Sequence, residues 1–422
     1  MKLIQATHLT DFRQIISYLQ VLSLWILVAL IPFRMGVVPR WAMIVAGVLY
    51  FIDYGVNRRW IGWRWTKDKW LYVIMIVYYL CIFIWHIGSH THTSRFSFVL
   101  EERLPFVLCG MIGIMGLNKD VKFKHICYVM IVSAVVTSLY IIYHCDGCFF
   151  LQSPMKQSLL FTQSRIQWVN SHMMYNLYLN ITLIFAFYLL TREKISRATR
   201  VLVVLACLWF FYLLCLTEGR VGIITGLMLG ASFILIYSYK RGLKWFVPIL
   251  IGYAVLCTGI IAQHQRFTAS KIEHEPRWMI WNANIDIIME KPVIGHGVCD
   301  AKELLIEKAI VGDGELQRWY RNRINTVYNG NQNKIQPHNA FLEAWGEFGI
   351  VGLCLLFCIF LFPLTMHPKE NRIYMLLIIC CFCIQSMFDS FFSPLLYSLA
   401  IIFFTSQSET LQANGSQTPD VV

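Results

Sequence analysis

Runs of roughly twenty uncharged, mostly apolar residues alternate along this chain with short clusters of charge. A hydrocarbon core about 30 Å thick takes roughly 20 residues of helix to cross, so each run is a candidate membrane span. Twelve fit: residues 14–33, 37–54, 70–88, 104–118, 125–144, 173–190, 201–217, 221–239, 245–263, 347–363, 373–388 and 390–405. The second, fourth and eleventh are short or carry charge at an end, at Arg40, Arg103 and Asp389. The expectation is an all-α polytopic membrane fold of ten to twelve spans. No small-residue cleavage site follows the first run, which reads as a retained helix.

One interval breaks the rhythm. Residues 264–340 hold 19 charged side chains among 77, about twice the density elsewhere. Loops beyond about 15 residues are usually functional or disordered, and Trp278, Trp281, Trp319 and Tyr320 argue for folding. Pro276 suits a first helical position. Trp278, Trp281, Ile285 and Ile288 recur at spacings of 3, 4 and 3, which predicts one apolar helix face. A small folded cap with helices near 276–290 and 314–322 is expected. The chain then divides into residues 1–263 with nine spans, the cap at 264–340, residues 341–405 with three more, and a polar, loose cytoplasmic tail at 406–422.

Composition supports lipid as the main solvent: of 422 residues, 57% are hydrophobic and 14% charged, against about 25% charged in soluble domains. The net charge of +12 is spread between the spans, not gathered in a patch, so it reports orientation and not a nucleic-acid partner. With the N-terminus inside, 19 of the 36 basic residues fall in inside segments and 7 in short outside segments, Arg103 among the latter. The long interval holds the rest and is exempt from the rule. The cap therefore faces outward and both termini lie inside.

Of fourteen cysteines, most sit inside predicted spans and read as small apolar residues. Cys145 and Cys148 form C-D-G-C at an outer boundary, where a disulfide is open; without a second CxxC or a histidine pair, zinc is not expected. His90 and His92 read as solvated interfacial residues. No metal and no cofactor are expected.

Three positions place ionisable groups where topology makes them costly or focused. Thr217-Glu218-Gly219-Arg220 forms a tight outward turn between two spans, so Arg220 is either a snorkelling anchor or a ligand for an anion at the membrane surface. Arg277, after Pro276, starts a helix whose free N–H groups and dipole favour anions; the plain alternative is a surface arginine paired with Glu273 or Glu275. In Pro337-His338-Asn339 the proline again opens a helix, which would hold His338 at the membrane face as a proton acceptor; a helix cap or solvated residue is the plain alternative.

Taken in order, Leu216-Thr217-x-x-Arg220, Arg277-x-x-x-Trp281, Lys291-Pro292-x-x-Gly295-x-Gly297, Pro337-His338-Asn339-x-x-Leu342-Glu343 and Glu347-x-Gly349-x-x-Gly352 resemble the O-antigen ligase and polymerase superfamily over about residues 200–363. Many members carry serine where this chain has Gly219. The resemblance implies metal-independent, inverting transfer of a glycan from a polyprenyl-diphosphate carrier to a hydroxyl of a lipid A core or another acceptor. It places the protein in the bacterial cytoplasmic (inner) membrane with its site facing the periplasm. His338, Arg220 and Arg277 are then the expected catalytic residues, and Arg220, Arg277, Glu218 and Asn339 the expected substrate contacts. Arginine forks suit diphosphate oxygens and would balance the leaving group's charge. A repeat-unit polymerase shares this chemistry with a different acceptor. A secondary transporter is disfavoured, since paired broken segments in two equivalent halves are missing.

Overall fold

A computed structural model describes residues 2–33, 37–61, 63–87, 93–144, 169, 171–217, 219–239, 243–263, 267, 276–312, 314–326, 335–366, 371–390 and 393–415. The element order is α1 (Lys2–Leu30), α2 (Val37–Val56), α3 (Lys69–His86), α4 (Thr93–Met115), α5 (Phe123–His144), α6 (His172–Arg192), α7 (Arg197–Leu216), α8 (Arg220–Tyr239) and α9 (Leu243–Gln263). The cap follows as α10 (Arg277–Glu290), α11 (Asp300–Ile310) and α12 (Glu315–Thr326), and then come α13 (Ala340–Leu361), the short α14 (Pro363–Met366), α15 (Arg372–Phe388) and α16 (Pro394–Gly415). A helix stands at each predicted apolar run. Among the described residues, seven helical segments are long and apolar enough to cross a membrane: those of α1, α3, α5, α6, α7, α8 and α13 with α14; α9, α15 and α16 contribute shorter apolar stretches. The protein is an all-α polytopic membrane protein.

The pattern of apolarity decides which helix is central. α6 is apolar on all sides but for Asn176, Asn180 and Thr182, and every residue from Tyr175 to Leu189 is buried, as a helix enclosed by others requires. It packs against α5, α7, α8 and α15, while α13 lies on α3 and α16 on α4. In contrast α7 turns Val201, Leu202, Leu205 and Leu208 outward, the face expected towards lipid.

Three expectations change. α4 starts at Thr93 and runs through Glu101-Glu102-Arg103, so Arg103 is no loop residue: its guanidinium lies 2.8 Å from Glu347 Oε2 and 3.8 Å from Glu343 Oε1 of α13. A charge tolerated inside a helix here has its counter-charge on the neighbouring helix. α16 continues to Gly415, so the helix extends well into the tail expected to be loose. In the cap, α10 buries Ile280, Ala283, Asn284, Ile287 and Ile288, whereas Trp278 and Ile285 of the expected face are exposed.

The cap is a folded unit. Ile280 and Ile287 of α10, Leu305, Ile306 and Ala309 of α11, Leu316 and Tyr320 of α12, and Ile335 form one core. α11 was not anticipated, although Asp300 and Glu303 in its first turn and Lys308 in its last complement the helix dipole. α12 extends to Thr326, slightly beyond the expected segment.

Candidate functional site

α7 ends at Leu216, and Thr217 leaves the helix with extended dihedrals. The amide of Asn176, on α6, donates to Thr217 Oγ1 at 2.8 Å and to the Gly219 carbonyl at 3.4 Å; one turn on, Asn180 donates to the Gly222 carbonyl at 3.1 Å. Two buried asparagines thus tie the turn from which Arg220 opens α8. The same packing accounts for Gly219: a Cβ there would lie 2.6 Å from Asn176 Nδ2. The Asn176 amide fills the space that a side chain at position 219 would need. Glu218 lies outside the described residues.

Arg277 is the first residue of α10, with Pro276 as N-cap. Arg220 likewise begins its helix, and neither first turn carries an acidic residue. Each guanidinium is therefore attached at the positive end of a helix dipole, where a cation is electrostatically disfavoured and an anion favoured. Arg277 Nη2 contacts Met173 Sδ at 3.9 Å, three residues before Asn176. The first turns of α6 are thus shared: Met173 meets Arg277, and Asn176 holds the turn of Arg220.

His338 precedes α13, and the helix starts later than expected. Asn339, not Pro337, is the boundary residue: its Oδ1 accepts from the N–H groups of Phe341 and Leu342, both at 3.0 Å. With that oxygen used by the cap, Asn339 acts on the site by setting where α13 begins. On the other side, Trp281, one turn beyond Arg277, donates its indole N–H to the Pro337 carbonyl at 3.0 Å. Between these two anchors His338 has φ of 51°, a left-handed conformation that costs a non-glycine residue of order 1 kcal/mol or more and persists only where the surroundings impose it.

Burial, then the positive charges of Arg277 and Lys302, push the His338 imidazole down from its ordinary value to about 4. The ring is thereby neutral at physiological pH. Its Nδ1 is buried without a hydrogen-bond partner. Arg277 and His338 thus stand together, and Arg220 is connected to them through the start of α6.

Sequence reasoning missed Lys302, the Asn176 and Asn180 pair, and the Arg103 anchor below the site. The asparagines carried a signal, being two amides at i and i+4 in an otherwise apolar span. Arg103 also lies over the rings of Tyr78 and Phe348, 5.9 and 5.5 Å from their centroids, so α3, α4 and α13 are fastened together just beneath His338.

Two glycine-bearing motifs prove to be one joint. α13 breaks at Gly349, with φ of 65° and ψ of −158°. The break leaves the carbonyls of Gly346 and Glu347 to accept from His296 N–H at 2.8 Å and Gly297 N–H at 3.0 Å, while Ile350 N–H donates to the Pro292 carbonyl at 3.1 Å. A Cβ on Gly295 would lie 2.5 Å from Gly349 N, and one on Gly349 would lie 2.1 Å from the Val293 carbonyl oxygen. Backbone docks on backbone, and the cap is locked to the helix that His338 precedes. Cys145, Cys148, His90 and His92 lie outside the described residues. Among the described residues, no three histidine, cysteine or acidic side chains are grouped so as to hold a metal ion.

Comparison with a family model falls on the same stretch. Residues 205–357, from α7 into α13, match a family model described as O-Antigen ligase. A Rickettsia conorii protein named provisionally as a polysaccharide ligase is 26% identical over 215 residues, which cover 48% of each chain. The match thus spans about half the length of that relative.

Proposed function

We propose, from the premise that the chain belongs to the O-antigen ligase superfamily, that it transfers a glycan from a polyprenyl-diphosphate carrier to a hydroxyl of a lipid A core or a similar acceptor. The reaction takes place on the outer face of the bacterial cytoplasmic membrane. The observation that carries the reading is the placement of the half-buried His338 beside the helix of Arg277, whose Trp281 donates to the Pro337 carbonyl, next to the start of α6 that holds the turn of Arg220.

The chemistry follows from these groups. His338 accepts the proton of the attacking hydroxyl as its oxygen bonds to the anomeric carbon, and the bond from that carbon to the diphosphate oxygen breaks on the opposite side. The product is inverted. Arg220 and Arg277 receive the departing diphosphate on planar forks matched to phosphate oxygens, and the two helix N-termini add to the field there. Donor binding has a second effect: a diphosphate beside Arg277 offsets the charge that suppresses His338, so the base strengthens once its substrate is bound. Asn339 and the Trp281 contact hold the imidazole in register. Glu218, in the Arg220 turn, is assigned to orienting that arginine or the acceptor.

The test is transfer by purified protein in liposomes supplied with a lipid-diphosphate-linked glycan and a core acceptor. His338→Ala should abolish transfer and leave donor binding, whereas Arg277→Ala should weaken both. Activity should persist in EDTA. Retention of anomeric configuration, or wild-type turnover by His338→Ala, refutes the mechanism. A second copy of the repeat unit accepted in place of the core would identify a polymerase.

A further inference from the structure

α10 has 14 residues, about 21 Å at 1.5 Å per residue, too short to cross a hydrocarbon core of about 30 Å. Large apolar side chains nonetheless stand on its exposed side. Trp278, Ile285 and Met289 are exposed by 63, 37 and 58%, and the turn that follows adds Val293 and Ile294 at 64 and 69%. Spacings of 7 and 4 put the three helical residues on one stripe, with the exposed Asn282 at its edge. Around the helix from it, Asp286 pairs with Lys308 of α11 at 3.1 Å, and the opposite face is the one buried in the cap core. α10 thus has apolar residues on two sides, one side used by the protein and one left outside it.

The neighbours of the turn fix what the stripe meets. Pro292 O accepts from Ile350 N–H and from the Trp345 indole at 2.9 Å, and Trp85 donates its indole N–H to Ile294 O. Trp85 stands in the last turn of the candidate span Lys69–His86, and Ile350 lies inside the candidate span Ala340–Met366. Counting back from Met366 by the roughly 20 residues that hydrocarbon requires brings its boundary close to Glu347. The turn therefore sits at that boundary, beside two tryptophans of the kind that mark it, and not in the water above.

We infer that α10 and the turn after it form a monotopic membrane element, whose stripe of Trp278, Ile285, Met289, Val293 and Ile294 is immersed in the acyl chains of phospholipids in the cap-side leaflet. An amphipathic helix in this position lies in the plane of the interface with its apolar face about 5–10 Å deep. Arg277, its first residue, is then held at headgroup level; for the transfer reaction proposed above, this is the depth of a carrier's diphosphate. The membrane assignment of the stripe itself does not depend on that reaction.

The experiment places a fluorescent non-natural amino acid at Val293, and separately at Glu307 on the exposed side of α11, in the full-length protein in phosphatidylcholine nanodiscs. With acyl-brominated phosphatidylcholine the label at 293 should lose roughly half or more of its emission, since a depth of about 5–10 Å puts it among the bromines; the label at 307 should change little. Aqueous iodide should give the reverse order. If a label at 293 prevents assembly, Met289 on the same stripe replaces it. Iodide quenching at 293 equal to that at 307, without bromolipid quenching, overturns the inference. So does loss of the bromolipid effect on adding polyprenyl diphosphate, which would make the stripe a groove for the carrier's tail.

Discussion

The charge balance around His338 is open to direct measurement through its Arg277 neighbour. At pH 5.5 an ordinary histidine, titrating near 6.5, is about 9% neutral, whereas one titrating near 4 is about 97% neutral. Diethyl pyrocarbonate reacts with neutral imidazole, so the rate of carbethoxylation of the His338 peptide, read by mass spectrometry and normalised to pH 7.5, reports that fraction whether or not the enzyme turns over. The wild-type rate should stay nearly flat down to pH 5, about tenfold above an ordinary histidine at pH 5.5. Arg277→Gln removes one of the two charges but leaves burial, the larger cause of the depression. More than half of the depression should survive, which puts the midpoint no higher than about 5 and the rate at pH 5 at about half its plateau. Arg277→Lys keeps the charge and should restore the wild-type curve. The same shift acts on stability with a definite sign: between about 6.5 and 4 the unfolded chain binds a proton that the folded chain excludes, so stability falls as pH drops through that window. A wild-type midpoint near 6.5, or an Arg277→Gln curve that does not move, would sink the account of both the burial and the pairing.

Arg220→Lys keeps the charge but loses the fork, and should lower transfer well below wild type in the liposome assay. Gly219→Ser forces a Cβ against Asn176 Nδ2 and should cost about 1–3 kcal/mol, visible as a lower thermal midpoint and reduced donor binding; adding Asn176→Ser should recover part of both. Asn339→Ala removes the cap and should cost about 1 kcal/mol with a fall in kcat, while Asn339→Asp retains both. Glu347→Gln leaves Arg103, 12% exposed, facing a neutral partner. Breaking a buried pair costs about 3–5 kcal/mol; Glu343→Gln, at 3.8 Å and 24% exposed, should cost clearly less in thermal unfolding.

What the sequence made legible follows from range. A membrane helix is encoded within some twenty consecutive residues, so the positions of α1 to α9, α13, α15 and α16 could be read from runs between charges. The start of α10 was equally local, announced by Pro276. The buried face of α10 was not, because an exposed tryptophan and a buried isoleucine look alike when the medium outside the helix is also apolar: Trp278 and Ile280 swap the roles that a water-facing helix would give them. Arg103 could not be recognised as an anchor, since Glu343 and Glu347 stand some 240 residues away and only the packing of α4 on α13 joins them. Arg277 and His338 stand out in sequence beside helix starts and Arg220 in a tight turn between two apolar runs, which are again local features.

The glycine motifs show how such local features become a site. As sequence, Gly295 and Gly349 are only places without side chains, and each is weak evidence of anything. In the fold each is required by the other, because the two backbones approach more closely than any Cβ allows. The break at Gly349 removes two carbonyls from the helical ladder, and the N–H groups of His296 and Gly297 take them up. That exchange fixes the cap against α13 about two turns below His338, while Trp281 fixes it again at Pro337. The placement of Arg277 relative to His338 thus follows from how the cap docks on α13, through the backbone joint and the Trp281 indole. A side chain on Gly295 or Gly349 should therefore disturb the electrostatics at His338 although neither glycine touches it. In Gly295→Ala, the carbethoxylation midpoint of His338 should rise as Arg277 moves away, by no more than in Arg277→Gln, since burial is the larger cause of the depression. An unchanged midpoint in a variant that still folds would show that the joint does not position the pair.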